Sequence, residues 1–172
     1  TKGDVVAFGS RVLDKSEPKY MNSSETPVYS KRRVLYGLNL AKKTKRPNII
    51  LCEGNLDIVT LHQAGFDNAV ASMGTALTVE QTRLLSRFTK ELVLCYDNDN
   101  AGKIATERAL QILNGSEFSV KVLQLPRRLV DGEYVKQDAD DFIKFQGPDA
   151  FERLLNGSEN GIEFRMAQIA GK

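Results

Sequence analysis

Residues 48–57 read NIILCEGNLD. The run IILC at 49–52 has no polar alternation, the mark of a strand buried on both faces. Glu53 ends the run, Gly54 lets the chain turn sharply, and helical spacing follows over 56–64. The pattern recurs downstream. Apolar runs AVAS (69–72), LVLCY (92–96) and VKVLQL (120–125) alternate with amphipathic helical stretches over 79–88 and 101–113. Thr78 begins T-V-E-Q, a capping box for the helix at 79. Gly65 stands where a helix C-terminus needs a stop. Strands alternating with helices predict an α/β fold: a mostly parallel sheet flanked by helices, joined by right-handed crossovers. Two short helices are expected at 141–145 and 149–155, and another amphipathic stretch begins after 157.

Upstream of residue 48 the character changes. Residues 4–13 (DVVAFGSRVL) predict a strand with a bend or bulge at Gly9. Residues 14–28 (DKSEPKYMNSSETPV) predict a loop too long to be idle, and so a functional candidate. Residues 29–43 (YSKRRVLYGLNLAKK) place Val34, Leu35, Leu38 and Ala41 at helical spacing, with Ser30 as cap. This N-terminal α+β segment is basic: residues 1–47 hold 11 Lys+Arg against 4 Asp+Glu, a net +7. Residues 48–172 hold 13 against 18, a net −5, which conceals the asymmetry inside a total of +2. A basic front on an acidic body predicts two jobs in one chain.

Composition excludes several classes. A chain of 172 residues suits one domain with a short appendage and can bury a core without disulfides or a structural metal. With 41% hydrophobic and 27% charged residues, wholesale disorder is excluded. No apolar run approaches the roughly 18 residues of a membrane span, and the N-terminus lacks a signal-peptide plan. Cys52 and Cys95 each lie in an apolar run and read as buried small hydrophobes in a reducing compartment. One histidine and two distant cysteines give no structural zinc site. His62 reads as structural or surface. The first residue is not Met and the chain opens inside a strand-like stretch, so an excised piece of a longer protein is expected.

The chemistry gathers in acidic residues at strand ends. Glu53 follows one apolar run. Asp97 and Asp99 follow another, in YDNDNAG. Asp138 and Asp140 repeat the D-x-D spacing in QDADD, after the last strand and before a short helix. The carboxyl end of an open parallel sheet is where ligands bind. Five carboxylates converging there need compensation to stay ionised. Oxygen-only ligands without imidazole point to Mg²⁺ or Mn²⁺, which suit phosphoryl or phosphodiester chemistry. Taken alone, Asp99, Asp138 or Asp141 reads as a turn or cap residue; Glu53, ending an apolar strand, is harder to set aside. Calcium is rejected: counted from Asp97, position 12 of an EF-hand loop would be Arg108 instead of Glu, and a strand precedes the loop.

These residues resemble the TOPRIM domain of primases, topoisomerases and some nucleases, whose pattern is a strand-end Glu-Gly followed by a D-x-D after a later strand. Within it, the chain resembles the catalytic core of the bacterial DnaG-type replicative primases. FGSRVL (8–13), PKYMNSSETP (18–27), SKRRVLYGL (30–38), EGNLD (53–57) and ASMGTALT (71–78) resemble that family's boxes. Asp138 and Asp140 fall on its final acidic pair. PKYMNSSETP specifies the primase branch, and the likeness runs from residue 3 to about 155. Asn55, Asn98 and Ala139 replace an aromatic residue, a glycine and a proline of the usual pattern, and none removes a carboxylate.

The resemblance implies a TOPRIM fold over 48–145, preceded by the basic end of the primase N-terminal subdomain (1–47) and followed by the start of a helical region (146–172). It implies DNA-templated RNA primer synthesis. Asp97, Asp99, Asp138 and Asp140 would hold Mg²⁺ or Mn²⁺, with Glu53 as a further ligand or as base. Arg11, Lys19 and Lys31 fall on positions that line the template and nucleotide groove, and Tyr20 and Asn22 would stack on or hydrogen-bond bases. The implied partners are single-stranded DNA, ribonucleoside triphosphates, an RNA–DNA heteroduplex and, through a domain outside these residues, the replicative helicase. Zinc belongs only to a separate upstream domain. The implied location is the cytoplasm, with the nucleoid and no membrane. The alternatives are a TOPRIM nuclease or RNA-maturation enzyme, and a non-catalytic nucleic-acid-binding module. The intact carboxylates argue against the latter. A topoisomerase would need a strand-breaking tyrosine in another domain.

Overall fold

The computed structural model describes residues 3–12, 20–73 and 76–170. Its centre is a five-stranded sheet in the order β4-β3-β5-β6-β9. Strands β3 (Asn48–Cys52), β4 (Ala69–Ala71), β5 (Glu91–Leu94) and β6 (Ser119–Val122) are parallel. The short β9 (Glu159–Asn160) closes the edge antiparallel to β6. The α/β expectation is met, and the four parallel strands fall on the four apolar runs.

The runs lack alternation because each face of the sheet has its own core. Ile49, Leu51, Leu92 and Leu94 face one core, closed by α1 (Leu38–Ala41), α3 (Val79–Leu85), α4 (Asn100–Leu113) and α7 (Gly161–Ala170). Ile50, Cys52, Val93 and Cys95 face the other, under α2 (Asn55–Gln63), α5 (Ala139–Gln146) and α6 (Pro148–Asn156). In that second core the Phe151 ring meets Phe66 edge-on at 4.8 Å and Phe142 at 6.1 Å. Both cysteines are buried and free, as expected for small core residues. His62 is structural: its Nε2 lies 2.9 Å from the Ala69 carbonyl oxygen.

The N-terminal segment differs from its sequence reading. The helix expected over 29–43 shrinks to α1, because the preceding backbone is used elsewhere. Tyr36 exchanges both backbone hydrogen bonds with Ala71, at 2.9 and 3.1 Å, and so joins the sheet. Gly37 then adopts φ 81°, which a side-chain-bearing residue resists, and its missing Cβ leaves room for Ile58 and the Ala69 carbonyl. The Gln81 amide donates to the carbonyls of Lys31 and Val34, and the Thr78 hydroxyl to that of Arg32. These carbonyls are thereby satisfied without a helix. The strand expected over 4–13 is confined, among the described residues, to β1 (Gly9–Arg11). It pairs antiparallel with β2 (Tyr20–Asn22), a strand inside the stretch expected to be loop.

A second hairpin, β7 (Arg128–Val130) and β8 (Glu133–Val135), lies between β6 and α5, outside the strands that the apolar runs predict. It turns on Asp131-Gly132, both with positive φ, the signature of a tight hairpin turn. The Thr78 capping box is present as expected: Gln81 N–H donates to Thr78 Oγ1 and Thr78 N–H to Gln81 Oε1, both at 3.1 Å. Thr78→Ala removes this cap together with the donor to Arg32. It is expected to lower stability by about 1 kcal/mol and Tm by roughly 3 °C in thermal unfolding; an unchanged Tm would contradict the capping role.

Candidate active site

The strand order places a switch point on the sheet. From β3 the chain crosses to β4 on one side, whereas β5 lies on the other side and leads outward to β6. The crevice beyond the carboxyl ends of β3 and β5 is where an open α/β sheet accepts ligands. Glu53 leaves β3 and Asp97 follows β5, so both stand at that crevice. They touch: Asp97 N–H donates to Glu53 Oε1 at 3.4 Å. Burial and the mutual charge of the neighbouring carboxylate raise the proton affinity of Glu53; burial does the same for Asp97.

Gly102 fixes the approach of the next helix. A Cβ there would lie 2.0 Å from the Asp97 carbonyl oxygen. The first turn of α4 therefore lies directly against the strand-end aspartate. Asp99 caps that turn, its Oδ1 accepting from Gly102 N–H at 2.8 Å. Its Oδ2 meets the Lys136 ammonium at 2.8 Å, and Asp97 Oδ2 lies 3.5 Å from the same nitrogen. The Lys136 hydrogen bond holds the Asp99 carboxyl below the usual carboxylate range.

The second acidic group sits at the start of α5. Asp138 caps the helix through Oδ1, which accepts from Asp141 N–H at 2.8 Å. Carboxylate oxygens of Asp138, Asp140 and Asp141 lie within 4.8 Å of one another, the one such group among the described residues. Asp140 is buried. Burial alone would raise its proton affinity, but hydrogen bonds from Lys144 (2.6 Å to Oδ2) and from the Thr60 hydroxyl outweigh it and lower the carboxyl. The cap reading of Asp99 and Asp138 is therefore correct as local structure. It does not exhaust them, since each cap uses only one of two oxygens.

Asp57, which no local sequence feature marks as a site residue, joins the two groups. It is 7% exposed, and both its oxygens accept backbone bonds: Oδ2 from Gly54 N–H at 3.2 Å, Oδ1 from Asp140 N–H at 3.1 Å. Burial, then the charge of Asp138, pushes its carboxyl up to about 7. With both oxygens engaged, Asp57 positions the α2 and α5 N-termini relative to each other. This also corrects the role of Gly54. Its backbone is extended (φ −102°, ψ 145°), a conformation open to any residue; what a side chain would disturb is Asp57, because a Cβ would come within 2.8 Å of Asp57 Oδ2 and force that carboxylate to shift.

Of the basic and aromatic candidates, Arg11 and Tyr20 come to the acidic cluster. The Arg11 guanidinium lies 5.3 Å from the Tyr20 ring centre and its charge reaches Asp140. Burial first, then the charges of Asp57, Asp138 and Asp140, raises the Tyr20 hydroxyl. Asn22 pairs with Gly9, and a Cβ on Gly9 would meet both Asn22 Oδ1 (3.0 Å) and Asn55 Nδ2 (3.3 Å). The β1–β2 hairpin thus packs at the N-terminus of α2. The backbone of Lys31 is held on both sides: its N–H donates to Glu25 Oε1 at 2.8 Å and its carbonyl accepts from the Gln81 amide at 3.0 Å. Lys19 lies outside the described residues.

The site is an open edge. A cavity of about 590 Å³ lies away from it, lined by Tyr29, Leu35, Leu38, Ile58 and Met73 among others. The donor set at the crevice is all oxygen, supplied by carboxylates on adjacent loops, with a tight trio at Asp138, Asp140 and Asp141. That chemistry fits a hard divalent cation.

Comparison with known proteins gives two family matches. Residues 50–143 match the family model described as Toprim-like, and residues 1–42 match that of the DNA primase catalytic core N-terminal domain. The DNA primase of Clostridium acetobutylicum is 44% identical over 166 residues, covering 96% of this chain and 26% of that protein. Among solved structures, the Aquifex aeolicus primase (zinc-binding and RNA polymerase domains) superposes with a TM-score of 0.82 at 39% identity, covering 95% of this chain and 39% of that one. A DnaG primase catalytic domain bound to single-stranded DNA gives 0.80 at 36% identity, covering 92% and 49%. The chain spans about a quarter of the length of the curated relatives it matches.

Proposed function

The chain belongs to the Toprim-like family, and from that premise we propose that it is the catalytic segment of a bacterial DNA primase, a DNA-dependent RNA polymerase that makes short RNA primers on single-stranded DNA. One observation carries the reading. The acidic switch-point site shares a chain with the β1–β2 hairpin, whose Tyr20 is reached by the charges of Asp57, Asp138 and Asp140 and whose Arg11 charge reaches Asp140, and that hairpin lies in the stretch matching the primase core N-terminal domain. A nuclease built on the same carboxylates has no use for this segment.

In the proposed reaction a primer 3′-hydroxyl attacks the α-phosphate of a ribonucleoside triphosphate. The new phosphodiester forms as the bond to pyrophosphate breaks. Family membership and the acidic cluster are consistent with divalent metal binding; we assign Mg²⁺ or Mn²⁺, held by Asp97, Asp99, Asp138 and Asp140. Bound there, such ions would neutralise the triphosphate and stabilise the attacking and leaving oxygens. Glu53 stands beside Asp97 to accept the hydroxyl proton or to add a ligand. Asp57 keeps the two acidic loops in register. Asp99 and Asp138, fixed by their caps, present one remaining oxygen each without further loss of side-chain freedom.

Arg11, Lys31 and, by sequence position, Lys19 neutralise template or nucleotide phosphates, while Tyr20 and Asn22 meet bases. The proposed ligands are single-stranded DNA, ribonucleoside triphosphates and the RNA–DNA product duplex. The helicase contact and the zinc site are assigned to other domains of the longer protein. No helix among the described residues is long and apolar enough to cross a membrane, and the proposed setting is the cytoplasm at the nucleoid. We divide the chain into the end of an N-terminal subdomain (1–47), the Toprim domain (48–145) and the start of a helical region (146–172). The family matches over 1–42 and 50–143 support a division between the first two segments.

The phosphate-contact assignment of Arg11, Lys19 and Lys31 is tested by single-stranded DNA affinity as a function of salt. A variant with Arg11, Lys19 and Lys31 all changed to Ala is expected to show a slope of log affinity against log salt shallower by about 2, at roughly 0.7 for each phosphate no longer neutralised. An unchanged slope would remove these residues from the template path.

A further inference from the structure

Each acidic group in the site carries a lysine, and the two lysines differ. Lys144 is one helical turn from Asp140 on the same helix and meets it alone among the carboxylates, an ordinary i, i+4 pair. Lys136 reaches across 37 residues of sequence to Asp99 and bridges it to Asp97. It emerges where β8 ends. The next residue, Gln137, is 3% exposed and its amide donates to the Pro126 carbonyl at 2.6 Å, closing the base of the β7–β8 hairpin. Lys136 is thus a long, pliable side chain on an anchored stem.

The oxygens it holds decide its role. Asp99 Oδ1 is committed to the helix cap, so Oδ2 is the oxygen this residue can offer to an ion. Lys136 sits on that atom and on Asp97 Oδ2. An ammonium and a divalent cation cannot occupy the same pair of oxygens without close like-charge contact. We propose that Lys136 is a tethered counter-ion that competes with the divalent metal for the Asp97–Asp99 pair and is displaced when the metal binds. It holds two adjacent carboxylates together in the metal-free protein and sets how tightly the metal is taken. This rests on the metal-site reading above.

The test is Mn²⁺ affinity of the 172-residue chain by calorimetry at low ionic strength, with thermal unfolding as a second readout. Lys136→Met is expected to bind Mn²⁺ about three- to tenfold more tightly than wild type, because one competing charge is gone. The gain should shrink as salt is raised. Lys136→Arg keeps the charge and should retain the weak affinity. Lys90→Met removes the same charge from an exposed pair with Glu117, remote from these carboxylates, and should change nothing. Without metal, Lys136→Met should melt earlier than wild type and gain more from added Mn²⁺. Equal or weaker Mn²⁺ binding by Lys136→Met, with wild type binding normally, overturns the competition alone. Absence of Mn²⁺ binding in every protein overturns the metal site and the competition with it.

Discussion

Replacing Gly102 by alanine is expected to destabilise the protein by about 3 kcal/mol or more. On propensity alone the change should help, since alanine in a helix is favoured over glycine by about 1 kcal/mol. The sign is reversed by geometry. The added methyl would lie 2.0 Å from the Asp97 carbonyl oxygen and 2.8 Å from its carbonyl carbon, both backbone atoms that no rotamer change can move. Either the first turn of α4 lifts from the sheet or the loop bearing Asp97 and Asp99 is pushed aside. Denaturant unfolding should show the lower midpoint, and metal binding should weaken in parallel. A Gly102→Ala protein as stable as wild type would mean that α4 does not lie against Asp97 as described.

The second large effect separates chemistry from folding. Glu53→Gln and Asp97→Asn, each made in the full-length protein, are expected to reduce primer synthesis at least about a hundredfold. Neither should lower the stability of the metal-free protein. Both carboxyls have raised proton affinity in the fold, so their ionised forms are disfavoured there relative to the unfolded chain. A neutral amide of the same shape relieves that penalty, and Tm at neutral pH should stay level or rise. Loss of activity with a collapsed Tm would indicate a structural role instead. Near-normal synthesis by either variant would remove that residue from the reaction.

The residues that are legible in the sequence share a property: their neighbours in the chain determine them. IILC and LVLCY are strands because nothing in them can face water, and Glu53 and Asp97 stand out as site candidates because they end those runs. The Thr78–Gln81 cap is equally local. The stretch 29–43 misleads because its apolar spacing is helical, while its backbone carbonyls are taken by Thr78 and Gln81 from a helix more than 40 residues away. Tyr36 pairs with Ala71 for the same kind of reason. The β7–β8 hairpin does carry a local signal, Asp131-Gly132 between short apolar stretches, that the strand–helix alternation around it obscures. Asp57 lies within the EGNLD stretch, but its bond to Asp140 N–H, 83 residues on, has no trace there. Lys136 has no sequence signal at all; only the closed hairpin brings it to Asp97 and Asp99.

The central claim is that the crevice at Glu53, Asp97 and the Asp138–Asp140 pair joins ribonucleotides on a DNA template. Its most direct test is incubation of the full-length protein with single-stranded DNA, labelled ribonucleoside triphosphates and either Mg²⁺ or Mn²⁺. The expected product is short labelled RNA that requires the metal and the template and disappears with Glu53→Gln. Cleavage of the DNA, or binding without any labelled product, would contradict it.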